Sequence, residues 1–412
     1  MHRVVVTGLG VITPLGLDTE TFWSRLLNGE SGIDRITSFD PSDLDVQIAA
    51  EVKGFDPKDF MDVKAARRMD RFAQFAVAAA GQAIRDAGLT ITPQNAGRIG
   101  VMLNTGGGGI HSMVREVLNF YQRGPSRVSP FFVPMFAPNM GACQISIVYK
   151  ITGPIMASVA ACAAGTQALV DALRMLRLGE ADVMIAGGTE AGLEPVAVTA
   201  FANMGALSRR NHEPQRASRP FDRDRDGFVF GEGCAVMVLE TEEHARQRDA
   251  RIYCELVGGA VTGDAFHISA PAPNGAGAAR AMELALADAR LRPDEVDYIC
   301  AHGTSTPLND VSETVAVKTV FGEHAYRVAI SSPKSMIGHL VGAAGAVSGV
   351  VCALAIRDNV VPPTINLEHP DPECDLDYVP NMARQTTVEA AMANAFGFGG
   401  QNAVAVFRRY VG

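Results

Sequence analysis

The chain has 412 residues, 47% of them hydrophobic and 20% charged, the balance of a globular protein long enough to bury a sizeable core in two or three average domains or in one two-lobed unit. These proportions exclude disorder, collagen-like repeats and a disulfide-stapled miniprotein, and a formal net charge of -9 argues against holding nucleic acid or an anionic membrane surface as the main task. The seven cysteines are an odd number without a C-x-x-C pair, which reads as reduced thiols in a cytoplasmic protein.

Arg3–Val11 is β-branched and runs into glycines, so it reads as a buried strand entered directly from the N-terminus, without a secretory leader. Arg68–Ala87 carries apolar residues at helical spacing and stops at Gly88. Ile99–Leu103 predicts a strand ending in the turn Thr105–Gly109, and Gly124–Pro138 a long loop rich in Pro and Phe. Ile155–Val159 predicts a strand, Ala163–Gly179 a helix and Asp182–Ala186 the next strand, forming a strand–turn–helix–strand unit. Strands near Ala235–Leu239 and Ile252–Val257 flank a charged link, Glu240–Arg251, which divides the chain into halves 1–250 and 251–412. The second half repeats the logic: a helix at Gly277–Ala289, a strand at Tyr298–Ala301, a helix from Asp310, a strand at Val328–Ser331, a glycine-rich helix after His339 and a closing strand Ala403–Phe407. Leu340–Ile356 is uncharged and nearly long enough to cross a bilayer, but its three glycines favour a helix inside a protein core. Alternation throughout predicts an α/β fold with largely parallel, buried sheets and two similar halves.

Cys162 stands where a strand hands over to a helix, among small residues (Ser158–Gly165). A thiol there meets free backbone N–H groups and the positive end of the helix dipole, which favours the thiolate. Alone, such a cysteine reads as a small buried hydrophobe. His302 follows the strand Tyr298–Ala301 and His339 follows Val328–Ser331, each at a strand-to-loop junction like Cys162, and that repeated position points to one shared site. The glycines invite a cofactor reading that fails in detail. Gly8-Leu9-Gly10 lacks the third glycine of a dinucleotide fingerprint, Thr13 standing there, and Gly106–Gly109 has no Gly-Lys-Ser/Thr ending.

With these residues in hand, the chain resembles the elongating β-ketoacyl–acyl-carrier-protein synthases of the type II system, in the thiolase superfamily. The matched segments are Val4–Gly16, Ser129–Pro134, the cysteine turn, Gly187–Glu190 (GGTE), Ala217–Gly233, His302–Asp310, Ser331–Gly345 and Asn394–Asn402, in order along essentially the whole chain. The resemblance implies a five-layered α/β/α/β/α thiolase fold and a decarboxylative condensation of an acyl thioester on Cys162 with malonyl-acyl-carrier protein. His302 and His339 would hold the enolate, and the Cys162 and Phe398 amides the tetrahedral intermediate. No nicotinamide, flavin or metal is required.

By the same resemblance Lys334 orders the histidines with Asp310 and Glu313 nearby, although a plain salt bridge is equally compatible with the sequence. Phe398 gates the second substrate, Phe396 supports the site, and Phe201, Thr304 and Thr306 contact substrate. Lys64, Arg67 and Arg68, spaced as one helical face, match with Arg127 the positions where an acidic carrier docks. Relatives are dimers, so a homodimer is expected. Ser348 stands where many fatty-acid members carry glutamate, and Gln401 replaces the usual threonine or histidine. Both keep open a catalytic ketosynthase of a type II polyketide system, paired with a chain-length partner. Cys162 argues against a non-catalytic chain-length subunit, which lacks the nucleophile, and Phe396–Gly400 lacks the second cysteine of a degradative thiolase.

Overall fold

The computed structural model describes residues 1–412. Ten strands join in one ladder: β1 (Val4–Ile12), β2 (Ile99–Asn104), β3 (Ile155–Met156), β4 (Val183–Glu190), β5 (Gly233–Thr241), β6 (Cys254–Gly263), β7 (Tyr298–Cys300), β8 (Ala329–Ser331), β9 (Ala390–Gly397) and β10 (Gln401–Arg408). Their spatial order is β8-β7-β9-β10-β6-β1-β5-β4-β2-β3. Counted within its own half, each set of five strands follows the order third, second, fourth, fifth, first. In each half the first three of these neighbours run parallel and the remaining pairings are antiparallel. The halves meet through a short antiparallel contact of Val5 and Val6 with Glu255 and Cys254.

The expectation of largely parallel sheets is therefore corrected: the sheets are mixed. Strands β1, β4 and β5 are buried at every residue, and burial on both faces produces unbroken apolar runs whichever way the neighbour points. Residues 155–159 supply only the two-residue β3, Val159 making an isolated bridge to Thr105.

The main helices are α1 (Arg71–Asp86), α2 (Ile110–Arg123), α3 (Met140–Tyr149), α4 (Ala164–Arg177), α5 (Ala276–Ala289), α6 (Pro307–Phe321) and α7 (Ala344–Asp358). Helices α4 and α7 pack on each other and on strands of both halves, forming the middle layer. Helices α1 and α3 cover one outer face and α5 and α6 the other. Their closeness in the middle depends on glycine. A Cβ on Gly165 would lie 2.5 Å from the Ala346 backbone nitrogen, and one on Gly345 2.3 Å from the Thr166 hydroxyl. The bilayer-length apolar stretch is thus a core helix, and the most apolar window, Val341–Asp358, is 83% buried.

The charged stretch after β5 is a folded connection rather than a loose linker. Glu240 lies inside β5, fully buried, and its carboxylate accepts hydrogen bonds from Thr7, His244 and Arg248. Burial opposes its charge, but those bonds win and hold the carboxyl at about 2. A carboxyl depressed in the folded state contributes stability that is complete above its unfolded value and is lost as pH falls towards the folded one. Wild-type protein should therefore lose about 3 kcal/mol through this group on acidification from pH 5 towards pH 2. Urea titrations at stepped pH should show Glu240→Gln less stable at neutrality and with a flatter acid limb, and an unchanged limb would remove Glu240 from the acid response.

Candidate active site

Each half turns from an isolated bridge residue, Val159 or His339, into a short 3₁₀ turn and then a central helix: Ala161–Ala163 leads into α4, and Val341–Ala343 into α7. Ala161 and Val341 both adopt positive φ, 46° and 43°, which is costly for a side chain with a Cβ and sharpest for β-branched Val341. The two elbows place Cys162 and the residues just after His339 side by side at the interface of the halves.

Cys162, His302 and His339 line one cavity of about 560 Å³, together with Phe201, Thr304, Thr306, Phe396 and Phe398. The His302 and His339 rings meet edge to face, centroids 5.5 Å apart at 85°. His302 also stands 5.6 Å from the Phe396 ring. Phe201 packs on Phe228 and Phe230 at 5.5 and 5.2 Å and faces Phe398 at 6.5 Å. The Thr304 and Thr306 hydroxyls hydrogen-bond at 2.9 Å, and Thr306 also caps α6.

The thiol differs from the sequence expectation in charge. Cys162 is 8% exposed, and burial pushes its thiol up to about 11, against the pull of Lys334 and of the Phe398 and Cys162 backbone N–H groups aimed at the sulfur. The resting group is a protonated thiol, because desolvation outweighs the helix terminus. Gly397 closes over it: a Cβ there would lie 3.2 Å from the Cys162 and Ala163 nitrogens. The Ala163 N–H is given to the Ala160 carbonyl at 3.0 Å, so the donors left for a small acceptor such as a thioester oxygen are the Cys162 and Phe398 N–H groups beside the sulfur.

Both imidazoles are buried, and desolvation, followed by the Lys334 charge, holds each well below the ordinary histidine value. They are neutral at pH 7. His339 Nδ1 accepts the Val341 N–H at 3.2 Å, so its proton sits on Nε2, which is buried without a protein partner. That unpaired donor is what a developing enolate oxygen requires. His302 Nδ1 is likewise buried without a partner.

Lys334 is 2% exposed, and burial lowers its ammonium, opposed by the fields of Cys300, Glu313, Cys162 and Asp310. The expected acidic neighbours divide. Asp310 turns away to Arg225 at 3.6 Å and accepts the Phe221 N–H at 2.8 Å. Glu313 clamps the histidine loop, accepting the His302 and Gly303 N–H groups at 2.8 Å each. Ser348 is buried in α7 with its hydroxyl unpartnered. Gln401 opens β10 opposite Gly397, and nothing in the structure explains its substitution.

The 398–400 turn carries left-handed glycines, Gly399 at φ 80° and Gly400 at φ 71°. It is tied to a loop that no sequence motif marks. The Gly399 N–H donates to the Ile268 carbonyl at 2.8 Å, the Asp264 N–H to the Gly400 carbonyl at 2.9 Å, and Asp264 accepts from Asn402 at 2.6 Å. Residues 264–272 carry no motif, and only tertiary pairing brings them to the cavity.

Lys64, Arg67, Arg68 and Arg127 are all exposed, but the single helical face is corrected. The helix there is only Val63–Ala66, capped by Asp62, and α1 starts at Arg71 behind a second cap, Asp70. Asp62 and Asp70 are both N-caps, so a second helix starts after Arg67 and Arg68 instead of the first one continuing through them. Arg68 leaves the row and stacks on Phe131 at 4.5 Å.

Two like-ordered halves around shared central helices, with a thiol and two imidazoles at their junction, define a thiolase-fold condensing enzyme. The models of the β-ketoacyl synthase N-terminal and C-terminal domains match residues 1–245 and 253–368. The chain belongs to the β-ketoacyl synthase family. It is 52% identical to 3-oxoacyl-[acyl-carrier-protein] synthase 2 of Synechocystis sp. over 408 residues, 99% of this chain and 98% of the relative. The namesake from Coxiella burnetii is 49% identical over 99% of both. Among solved structures, a β-ketoacyl synthase from Burkholderia phymatum superposes with TM-score 0.93 at 37% identity, covering both chains fully. A type II polyketide ketosynthase in complex with its acyl-carrier protein gives 0.91 at 36%, again over both chains in full.

Proposed function

We propose that this condensing acyltransferase, acting in fatty-acid chain elongation, uses Cys162 to take the acyl chain and His302 and His339 to generate the carbanion. The observation that carries this reading is the unpartnered Nε2–H of a neutral His339 facing the cavity that also holds the Cys162 sulfur. In the first step the Cys162 sulfur bonds to the acyl carbon, the carrier thiol leaves, and the thiol proton passes to that leaving sulfur. The oxygen charge of the tetrahedral intermediate falls on the Cys162 and Phe398 amides. In the second step malonyl carrier loses carbon dioxide, and the enolate oxygen is held by the two imidazoles. Its carbon attacks the acyl carbon, and the Cys162 sulfur leaves and recovers a proton from solvent. Each oxyanion donor is worth about 3–4 kcal/mol. Reconstitution with acyl and malonyl carriers should give one carbon dioxide and one β-ketoacyl product two carbons longer per turnover; absence of either product overturns the assignment.

The polyketide reading has less behind it: the ketosynthase of that system is 36% identical, against 52% for the synthase 2 relative. The carrier reading draws on that neighbour's complex and on the cationic residues Lys64, Arg67, Arg68 and Arg127, which an acidic carrier would meet on an otherwise acidic enzyme. Charge reversal at Arg67 and Arg127 should raise KM for carrier-borne substrate about tenfold while sparing a small thioester mimic. Equal loss for both substrates would remove this rim from docking. The dimer reading rests on the open edge strand β3, where Ile155, Met156 and nearby Ile147 and Val159 are exposed. A second copy pairing there covers an apolar edge that a monomer leaves bare. The seven free thiols fit a cytoplasmic setting.

A further inference from the structure

The GGTE segment ends in a carboxylate that the chemistry above does not use. Glu190, the last residue of β4, is 2% exposed. Its oxygens accept the Gly106 N–H at 2.7 Å, the Gly107 N–H at 3.2 Å and the Gly342 N–H at 3.0 Å, with the Thr105 hydroxyl at 3.4 Å. Every neighbour is a donor, so the cradle fits the deprotonated form, while burial pushes the carboxyl up to about 7. No cation pairs with it.

The duplicated topology makes the position informative. Gly342 is the middle residue of the second elbow, as Cys162 is of the first. At the first elbow the middle N–H is open to an acceptor, beside the loop that follows the fourth strand of the C-terminal half. At the second elbow the matching N–H is already taken, by the carboxylate that ends the fourth strand of the N-terminal half. The fit is tight, since a Cβ on Gly342 would lie 2.3 Å from the Gly106 nitrogen and 2.8 Å from a Glu190 oxygen. What Glu190 holds is the turn containing Val341, whose φ of 43° is strained and whose N–H is the group that fixes the His339 tautomer. Strained backbone persists only where its surroundings over-determine it.

We propose that Glu190 is a positioning residue for the condensation: its carboxylate occupies the second elbow as a fixed internal anion, locks the Val341–Ala343 turn, and thereby keeps the His339 proton on Nε2. This rests on the role given to His339 above. Glu190 does not touch substrate. Replacing it with glutamine sets an NH₂ against N–H donors on one side of the cradle, either the Gly106 and Gly342 pair or Gly107, and removes the negative charge that draws all of them in, which loosens the turn and lets Val341 relax.

The test compares two rates and one spectrum in Glu190→Gln. Acylation of Cys162 by a small acyl thioester should stay within about threefold of wild type, while malonyl-carrier decarboxylation falls about 10- to 100-fold. In ¹⁵N-histidine-labelled protein, the His339 signal, assigned with His339→Asn, should show an Nε2-protonated neutral ring in wild type and lose that pattern in Glu190→Gln. A proportional fall of both rates with the folded fraction, or unchanged decarboxylation, overturns the proposal. Should Glu190→Gln fail to fold, wild-type protein still decides, because a His339 protonated on Nδ1 contradicts it directly. Failure of the parent reading looks different: His339→Ala would then decarboxylate at the wild-type rate, whatever Glu190→Gln does.

Discussion

Cys162→Ala should lose condensation by about 10⁴-fold or more while remaining folded and still releasing carbon dioxide from malonyl carrier. The substitution removes one sulfur from a residue that keeps its Cβ, and neither imidazole loses a hydrogen bond by it. What disappears is the covalent intermediate. Without it the enolate has no activated acyl carbon to attack, and binding and oxyanion stabilisation alone supply only a small remainder. The assay follows product and carbon dioxide separately, and condensation near the wild-type rate would show that another group carries the chain.

His302→Ala and His339→Ala should show the opposite split. Decarboxylation falls about 10²- to 10³-fold in each, because an oxyanion donor is worth about 3–4 kcal/mol. Acylation of Cys162 is retained within about tenfold, since the oxyanion donors proposed for that step are the Cys162 and Phe398 amides. The double variant should fall less than the product of the two singles, as two donors to one oxygen act as a unit. Stopped-flow release of carbon dioxide against mass-resolved acylation separates the steps. Intact decarboxylation in both variants would take the enolate away from these rings.

The neutrality of the histidines follows from burial in an apolar cavity beside a cation, and no pattern of letters shows it. The same holds for the thiol. A strand-to-helix handover before Ala163 was legible and predicted a helix-terminal thiolate, but desolvation depends on what other segments close over the sulfur, here Gly397 and Phe398. Positions of Cys162, His302 and His339 could be read because each follows an apolar run and sits in a small-residue turn, a local signal. Strand direction could not, since Val183–Glu190 is equally buried beside its parallel neighbour β2 and its antiparallel neighbour β5. The resemblance puts Asp310 near Lys334, and its field does reach that ammonium, but its ion-pair partner is Arg225, 85 residues earlier in the chain, which no local pattern shows. Lys64 and Arg68 share a helical spacing, but Asp70 restarts the helix between them and the apolar face that follows. Glu190 was visible as the end of a motif, and only the second elbow gives it a task.

The most direct measurement is peptide-level mass spectrometry of wild-type protein incubated with an acyl carrier in the absence of malonyl carrier. One acyl group should appear, on the peptide containing Cys162, and should vanish when malonyl carrier is added as the longer β-keto product forms. An unmodified Cys162 peptide under conditions where the longer product accumulates would contradict the thiol chemistry from which every other assignment here follows.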